Sequence, residues 1–563
     1  MALLFFLGAA VYANSLQVPF FLDDTALITG SSRHLSVLWP PWKAFYTIRP
    51  LVDYSLAINF ALGGLDAAGY HLFNIAVHLL ASLALFGTCL RILNLPSLPE
   101  KFKKSSYSLS LAIATLWLVH PLNTESVTYV IQRAESMAGL FYLLTFYCYL
   151  RSKTPQARTK IWVSLSVLSC GLGMATKATL ASAPFLILLF DGIFISGSLK
   201  ATLRNNKKYY VALFLTFIVL LISYGVPRFF HWFTAIAPSY DYSPWVYLEN
   251  QTWVFWNYLR LSLIPYPLCI DYFYNALPHG QLIAPCAAAL AFLSLVLVSI
   301  KFRPKTSFLG IWLFLTLAPT SSLFPVSDLM VEHRMYIPLM AVIAAFVLGF
   351  FHSISLLPSS TERFSRRLAS SVAILLVFSY AVLSVQRNEI YIDQQKLWKE
   401  ALQTNPANFR AANNVAEELV KKGKWKEALP YLYRAVESNP TAKKLLLDVS
   451  EEIVPPASLP KYAGTHQAFK ERFFAAFTFA QLGRIYYFFK MDNPKAAHFF
   501  YSAVHANPWK SVHYSDLGSF MSSEGKFKEA ETFYKMALQV DAGDESAKRN
   551  LEKLKEFLPV TAG

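Results

Sequence analysis

Pro19-Phe20-Phe21-Leu22-Asp23-Asp24 sets two adjacent carboxylates directly after an apolar run that begins at the first residue. Ionised groups at a membrane edge are costly and mark an aqueous cavity or chemistry, so the pair is a candidate catalytic rim. The same residues also read as a helix start, with Asp24 as N-cap ahead of Thr25-Ala26-Leu27-Ile28 and Asp23 merely solvated. Further polar residues fall at the ends of apolar stretches: Arg49 and Asp53, Tyr70 and His71, His120, Glu125, Arg133 and Glu135, Lys177, and Glu332, His333, Arg334 and Tyr336. A carboxylate can take the proton of an attacking hydroxyl while Arg or Lys stabilises a departing phosphate. The set therefore suits group transfer from a lipid-borne phosphate donor. Each member also has a structural alternative. His71 and His78 serve equally as helix-packing residues, Glu125, Arg133 and Glu135 as partners of one another, and Lys177 and Arg334 as snorkelling cations. No Ser, His and Asp motif with a strained turn and no Gly-rich phosphate loop is present. Metal ligation by His71, His120 or the carboxylates has no diagnostic spacing behind it, so no metal site is assigned.

The elements that must position these groups are read from composition. The chain has 563 residues, 55% hydrophobic and 15% charged. That is a membrane protein rather than an ordinary soluble enzyme. Charge is sparse to about residue 390 and dense afterwards, which divides the chain into a membrane domain over 1–387 and a soluble domain over 388–563. The net charge of +16 fits basic loops between apolar spans, and this explanation stands above nucleic-acid binding. Five cysteines form no CxxC pair and no disulfide framework. Ala9-Ala10-Val11-Tyr12-Ala13 resembles a cleavage site, but the first run lacks a basic n-region and is read as an uncleaved first helix.

Apolar spans are expected at about 2–18, 69–93, 107–120, 129–150, 161–175, 177–194, 209–226, 283–300, 307–324, 336–352 and 369–386, eleven in all. The basic loops around Lys101, Arg151, Lys200, Lys301 and Arg363 then share one face, which the positive-inside rule makes cytoplasmic. The carboxylates face outward. Counting Trp253 to Ile264 as a twelfth span would break that pattern. Trp245 to Tyr274 is therefore read as an interfacial or re-entrant hairpin on the outer face. The loop after Asp24 is expected to hold interfacial helices, because a long structureless loop is improbable.

After about residue 387 the sequence turns polar and helix-periodic. Pro406 and Pro440 lie 34 residues apart, the tetratricopeptide period. Ala416, Ala428 and Ala435 take close-packing positions and Trp425 and Leu432 bulky ones. In Ser511 to Ala542, Gly518, Ala530 and Ala537 face Phe527 and Tyr534 in the same scheme. A third unit, Phe473 to Pro508, carries Gly483, Ala496, Phe500 and Ala503 with one extra residue in its turn. Span parity puts this array on the same side as Asp23.

Several stretches carry a family likeness. Val11-Tyr12-Ala13-Asn14-Ser15-Leu16 through Asp24, Arg49-Pro50-Leu51, Gly69-Tyr70-His71-Leu72-Phe73-Asn74 with His78, and His120-Pro121-Leu122-Asn123-Thr124-Glu125 with Arg133-Ala134-Glu135 are the first of them. Glu332-His333-Arg334-Met335-Tyr336-Ile337-Pro338 and Gln386-Arg387-Asn388-Glu389 with Leu397-Trp398 continue the series. Together they resemble the transmembrane and tetratricopeptide-repeat O-mannosyltransferases and their bacterial relatives, in order, over essentially the whole chain. The resemblance implies an all-α GT-C membrane bundle followed by an extracytoplasmic repeat solenoid. It further implies inverting transfer of mannose or another hexose from a polyprenyl- or dolichyl-phosphate sugar, the co-substrate, to Ser or Thr of an exported protein. By the same likeness Asp23 or Asp24 is the base, Arg133, Lys177 and Arg334 hold the lipid phosphate, and the repeats hold the acceptor. Arg49, His71, His120, Glu125, Glu135, Glu332 and Tyr336 complete the expected substrate-binding set. Ala178 stands where relatives often carry Glu, which weakens Lys177, and few residues precede the first span. The competing readings are a non-enzymatic membrane scaffold that recruits partners through its repeats, and an oligosaccharyltransferase using a lipid-linked oligosaccharide.

Overall fold

The computed structural model describes all residues except 31, 46, 156–157, 225–241, 274–275, 324, 327, 358–361, 448–449, 451, 454, 457–465, 555 and 557–563. Helices joined by turns account for the described residues, and no strand occurs among them. They form two compact units. The first runs to Asp393, and the second takes the chain from Gln394 together with the tripeptide Asp271–Phe273.

In the first unit a helix lies over each of the apolar stretches. Local signals set their ends. Asp66 caps Ala67–Leu93 by accepting from the Ala68 amide at 3.1 Å, and Ser198 and Ser243 do the same for Leu199–Leu215 and Pro244–Leu263. Pro50, Pro304 and Pro338 each open a helix, where the missing N–H is no loss. Gly64, at a φ of +59°, ends Pro50–Gly63 in a conformation that favours glycine. Helix formation and membrane crossing are separate properties. Among the described residues, four helices are long and apolar enough to cross a membrane: Ala67–Leu93, Leu199–Ser223, His279–Phe302 and Arg367–Ile392. Ala2–Gln17, Ser106–Leu118, Thr159–Met174, Ala178–Phe194 and Pro338–Ile354 are shorter apolar helices. The unit is thus built as an integral membrane protein.

Two expected regions take definite form. The loop after Asp24 contains the short helices Ser32–Leu35 and Pro41–Ala44 and the longer Pro50–Gly63, with Trp39 and Trp42 exposed. Over the region expected as an interfacial or re-entrant hairpin, Pro244–Leu263 is one continuous helix, and residues 264–273 and 276–278 are irregular. The helix buries Tyr247, Asn250, Gln251, Val254, Phe255, Tyr258, Leu261 and Ser262, the recurrence of a single helical face. Along that face Tyr247 donates to the Thr320 carbonyl at 2.6 Å, Gln251 to Leu329 at 2.9 Å and Tyr258 to Val331 at 2.8 Å. The aromatic and amide residues that suggested an interfacial position instead brace the segment leading to Glu332.

The second unit is a succession of amphipathic helices, among them Phe409–Lys421, Trp425–Ser438, His466–Ile485, Asn493–Ala506, Ser511–Ser523 and Phe527–Val540. Sequence neighbours pack together through small residues set against large ones. Ala416, Ala428, Ala435, Ala530 and Ala537 are fully buried. A Cβ on Gly483 would lie 2.8 Å from the Phe500 ring, and one on Gly518 would lie 2.9 Å from the Tyr534 ring. The extra residue of the third turn is absorbed as the π-helical turn Tyr486–Lys490, closed by Met491 at a φ of +54°. Asp271 is held in this unit by a two-bond pair with Arg410, at 2.7 and 2.5 Å. Gly518→Val should destabilise the unit by about 1–3 kcal/mol through overpacking against Tyr534. Limited proteolysis of the full chain in detergent should then cut faster between residues 394 and 554, and cleavage at the native rate would remove this packing account.

Candidate functional site

The site is organised by a segment with little regular structure, Val119 to Gln132, which is buried throughout. It holds only the short turns Pro121–Asn123, Thr124–Thr128 and Val130–Gln132. Buried backbone without helix geometry needs partners from elsewhere. Asn74 donates to the carbonyls of Val127 and Val130 at 3.0 and 3.2 Å. Ser384 donates to Val119 at 2.8 Å, and Thr128 donates to Asn388 at 2.7 Å.

Asp24 supplies another partner, because its Oδ1 accepts from the Ile131 amide at 2.8 Å. Its Oδ2 stands 3.5 Å from the Phe21 amide, at the limit of a hydrogen bond. Asp24 is fully buried, and burial pushes its carboxyl up to about 8 against the pull of those two amides. It does not cap the turn that follows it. Asp23 beside it is exposed, and its amide donates to the Tyr129 hydroxyl at 2.8 Å. Leu22, at a φ of +50°, turns the chain into this pair. A leucine in that region costs about 1–2 kcal/mol, so it persists only where the surroundings hold it. Asp23 and Asp24 sit in the opening turn of a short helix rather than in extended chain. They are therefore separated by about 100° around an axis instead of facing opposite ways.

A second cluster is mostly basic. Lys177 is extended at the start of Ala178–Ser182 and pairs with Glu135 at 2.5 Å. Arg49 is brought near it by backbone. The Leu51 amide donates to the Ala175 carbonyl at 3.2 Å, and the approach to Arg49 is fixed by Thr47, whose amide donates to Asp53 at 2.6 Å. Arg49 is half-buried and forms no ion pair among the described residues. His333 is clamped by Glu125 in two places, its amide at 2.8 Å from Oε2 and its Nδ1 at 2.7 Å from Oε1. Burial, and after it the charge of Lys177, holds this imidazole well below its usual range, so it is neutral. Burial raises the Glu125 carboxyl. The charges of Lys177, Arg334 and Arg49 all add to the lowering of the His333 imidazole. Tyr129, whose hydroxyl accepts from the Asp23 amide, lies on the same buried segment as Glu125 and so links the acid pair to this cluster through the chain.

Other expected site residues have structural commitments. His71 donates from Nε2 to the Val18 carbonyl at 2.8 Å. His120 donates from Nε2 to Ser262 at 3.1 Å. Glu332 accepts from the Cys269 amide at 2.5 Å. The Tyr336 hydroxyl bonds His78 Nδ1 at 2.8 Å, and its ring lies against Gly139. Arg334 donates to the Asp328 and Leu329 carbonyls at 2.6 and 3.1 Å. Arg133 is fully buried and donates to Ser55 at 3.2 Å, Asn59 at 2.7 Å and the Tyr70 carbonyl at 3.1 Å, with the Phe73 ring 4.6 Å away. Glu125, Arg133 and Glu135 thus take separate partners. Sequence reasoning counted His333 among the polar residues at span ends without giving it a role, and it left Tyr129 out, because nothing in the spacing pointed to it.

No family model matches the chain. It is 25% identical to human protein O-mannosyl-transferase TMTC3 over 77% of its own length and 50% of that protein. With Drosophila melanogaster Tmtc3 the identity is 27%, over 76% of this chain and 53% of the relative. Among solved structures, apo ArnT from Cupriavidus metallidurans aligns at 14% identity with a TM-score of 0.34, over 74% of this chain and 80% of ArnT. By sequence the chain is a homologue of the TMTC1 to TMTC4 protein O-mannosyl-transferases, and it spans about half the length of the TMTC3 and TMTC1 proteins it matches.

Proposed function

We propose that the chain is a membrane glycosyltransferase of GT-C type that moves mannose from a polyprenyl- or dolichyl-phosphate donor to a Ser or Thr hydroxyl of an exported protein. The acceptor oxygen attacks the anomeric carbon from the face opposite the phosphate, the bond to the phosphate oxygen breaks, and the configuration inverts. Asp23 takes the hydroxyl proton. Arg49, Lys177 and Arg334 stabilise the charge that develops on the departing lipid phosphate, as preorganised cations do in a water-poor site. The neutral His333, oriented by Glu125, offers a hydrogen-bonding edge without adding charge. Residues 388–563 are read as a tetratricopeptide array that binds the acceptor, and residues 1–387 as the transferase, both working on the extracytoplasmic side by the count of basic loops.

The observation that carries this reading is the division of the acid pair. Asp24 is buried and spends its oxygen on the Ile131 amide, whereas Asp23 is exposed beside it. A general base needs solvent-side access and a rigid support, and adjacent residues supply one each. A scaffold would be served by the mutual pairs Lys177 with Glu135 and Glu125 with His333. It has no use for a half-buried Arg49 or for a strained Leu22 that turns an exposed carboxylate into place.

Asp23→Asn should lower transfer from dolichyl-phosphate mannose to an acceptor peptide by about 10²-fold or more, in membranes holding the normal amount of protein. Retention of full transfer would remove Asp23 as the base. Asp24→Asn should act on stability instead, since an amide oxygen keeps the short Ile131 bond. The Asp24 carboxyl lies higher in the folded than in the unfolded chain, so its contribution is complete at low pH and is lost as pH rises through about 8. Thermal unfolding of the purified protein between pH 6 and 9 should therefore show a decline that flattens in Asp24→Asn, and identical slopes would contradict a carboxyl held protonated by burial.

A further inference from the structure

Leu199–Leu215 differs from the other apolar helices in carrying Lys200, Arg204, Lys207 and Lys208 without one carboxylate. Its backbone leaves helical geometry at Asn206, at φ −126° and ψ 25°. The bend is fixed from behind. Asn206 donates to the buried Asp191 at 3.2 Å and accepts from Lys153 at 2.9 Å, and the Tyr210 hydroxyl donates to the same Asp191 oxygen at 2.7 Å. Along this one helix runs an open groove of about 700 Å³, lined by Leu203, Arg204, Lys207, Tyr210, Val211, Phe214 and Leu215. Leu203, Val211 and Leu215 are exposed along it. Arg204 and Lys207 are exposed as well and form no ion pair among the described residues.

We infer that this groove seats an anionic phospholipid of the surrounding bilayer, its phosphate between Arg204 and Lys207 and one acyl chain along Val211, Phe214 and Leu215. Three observations converge on that occupant. The candidate span Leu199–Ser223 is 25 residues long, about five more than the hydrocarbon core requires, so Arg204 and Lys207 lie near its edge and their long side chains reach headgroup level. Cations there attract anionic lipid by about 1 kcal/mol each. The wall beside the cations is apolar, formed by Leu203, Val211, Phe214 and Leu215, as an acyl chain requires. Finally, Asp191 is occupied by Asn206 and Tyr210, and Arg204 and Lys207 form no ion pair among the described residues, so no carboxylate there pairs with the two cations. A soluble anion would use Arg204 and Lys207 alone, and a neutral lipid would use only the apolar wall.

The test uses the full chain in a neutral detergent, with bound lipid read by native mass spectrometry after addition of phosphatidylglycerol or phosphatidylcholine of matched chains. Phosphatidylglycerol should be retained in preference. Arg204→Gln and Lys207→Gln should each lower its retention about fivefold. Val211→Trp, which fills the groove and leaves the cations, should lower it as well, whereas Lys200→Gln with Lys208→Gln should leave it unchanged. Equal retention of the two lipids, or a double Arg204→Gln and Lys207→Gln variant that binds like the native chain, would overturn the proposal. Displacement of the lipid by millimolar inorganic phosphate would overturn the acyl groove.

Discussion

The first unit depends on burying an irregular chain segment, Val119 to Gln132, at the centre of an apolar bundle. Helices satisfy their own peptide groups, and this segment cannot. Its partners come from separate parts of the chain: Asp24, Asn74, Ser384 and, through the Thr128 hydroxyl, Asn388. Each bond is worth about 1 kcal/mol when made, but a buried group left unmade costs about 1–3 kcal/mol. That asymmetry makes the segment a template. Elements that are distant in sequence are selected by which of its carbonyls and amides they satisfy.

The same constraint explains how charge is distributed around it. A buried carboxylate is tolerated only where it is bonded or neutralised. Asp24 meets the requirement through Ile131, Glu125 through both nitrogens that His333 offers, and Glu135 through Lys177. Asp23 needs none of this because it is exposed. The exposed acid is the one that the packing does not use, and the acid beside it is tied to the Ile131 amide. Cations follow the same logic in reverse. Arg133 is buried among neutral oxygens and rings, a position suited to holding helices together. Arg49 stays half-buried, with no ion pair among the described residues.

How much of this was legible follows from which forces leave a pattern. Apolar runs located the helices of the first unit, and the acids, Arg49 and the Glu332 to Tyr336 stretch stood out by type. The turn geometry of Asp23 and Asp24 did not, because nothing in Phe21-Leu22-Asp23-Asp24 announces a leucine at positive φ. The Pro244–Leu263 helix was hidden by its own tyrosines and amides. These read as interfacial chemistry, but their partners are carbonyls about 73 to 78 residues away. The Glu125 and His333 pair spans 208 residues and leaves no periodic trace at all.

The two units show why legibility differs within one chain. In the second, water is the alternative environment for every side chain, so burial sorts residues by polarity. Ala416, Leu419, Leu432 and Ala435 fall on the inner faces that their spacing announces. In the first, the alternative environment is lipid, as apolar as the core, and polarity no longer separates inside from outside. Leu290, Leu295 and Leu297 are exposed on His279–Phe302, while Ser82, Ser110 and Ser166 are buried elsewhere in the unit. What separates inside from outside there is close approach and hydrogen bonding. Gly139 admits the Tyr336 ring, and Ser166 donates to the Thr145 carbonyl at 2.8 Å. A sequence reader tracking hydrophobicity therefore recovers the core of the second unit and only the helices of the first. The buried small and polar residues of the membrane unit must be found by asking which peptide groups still lack a partner.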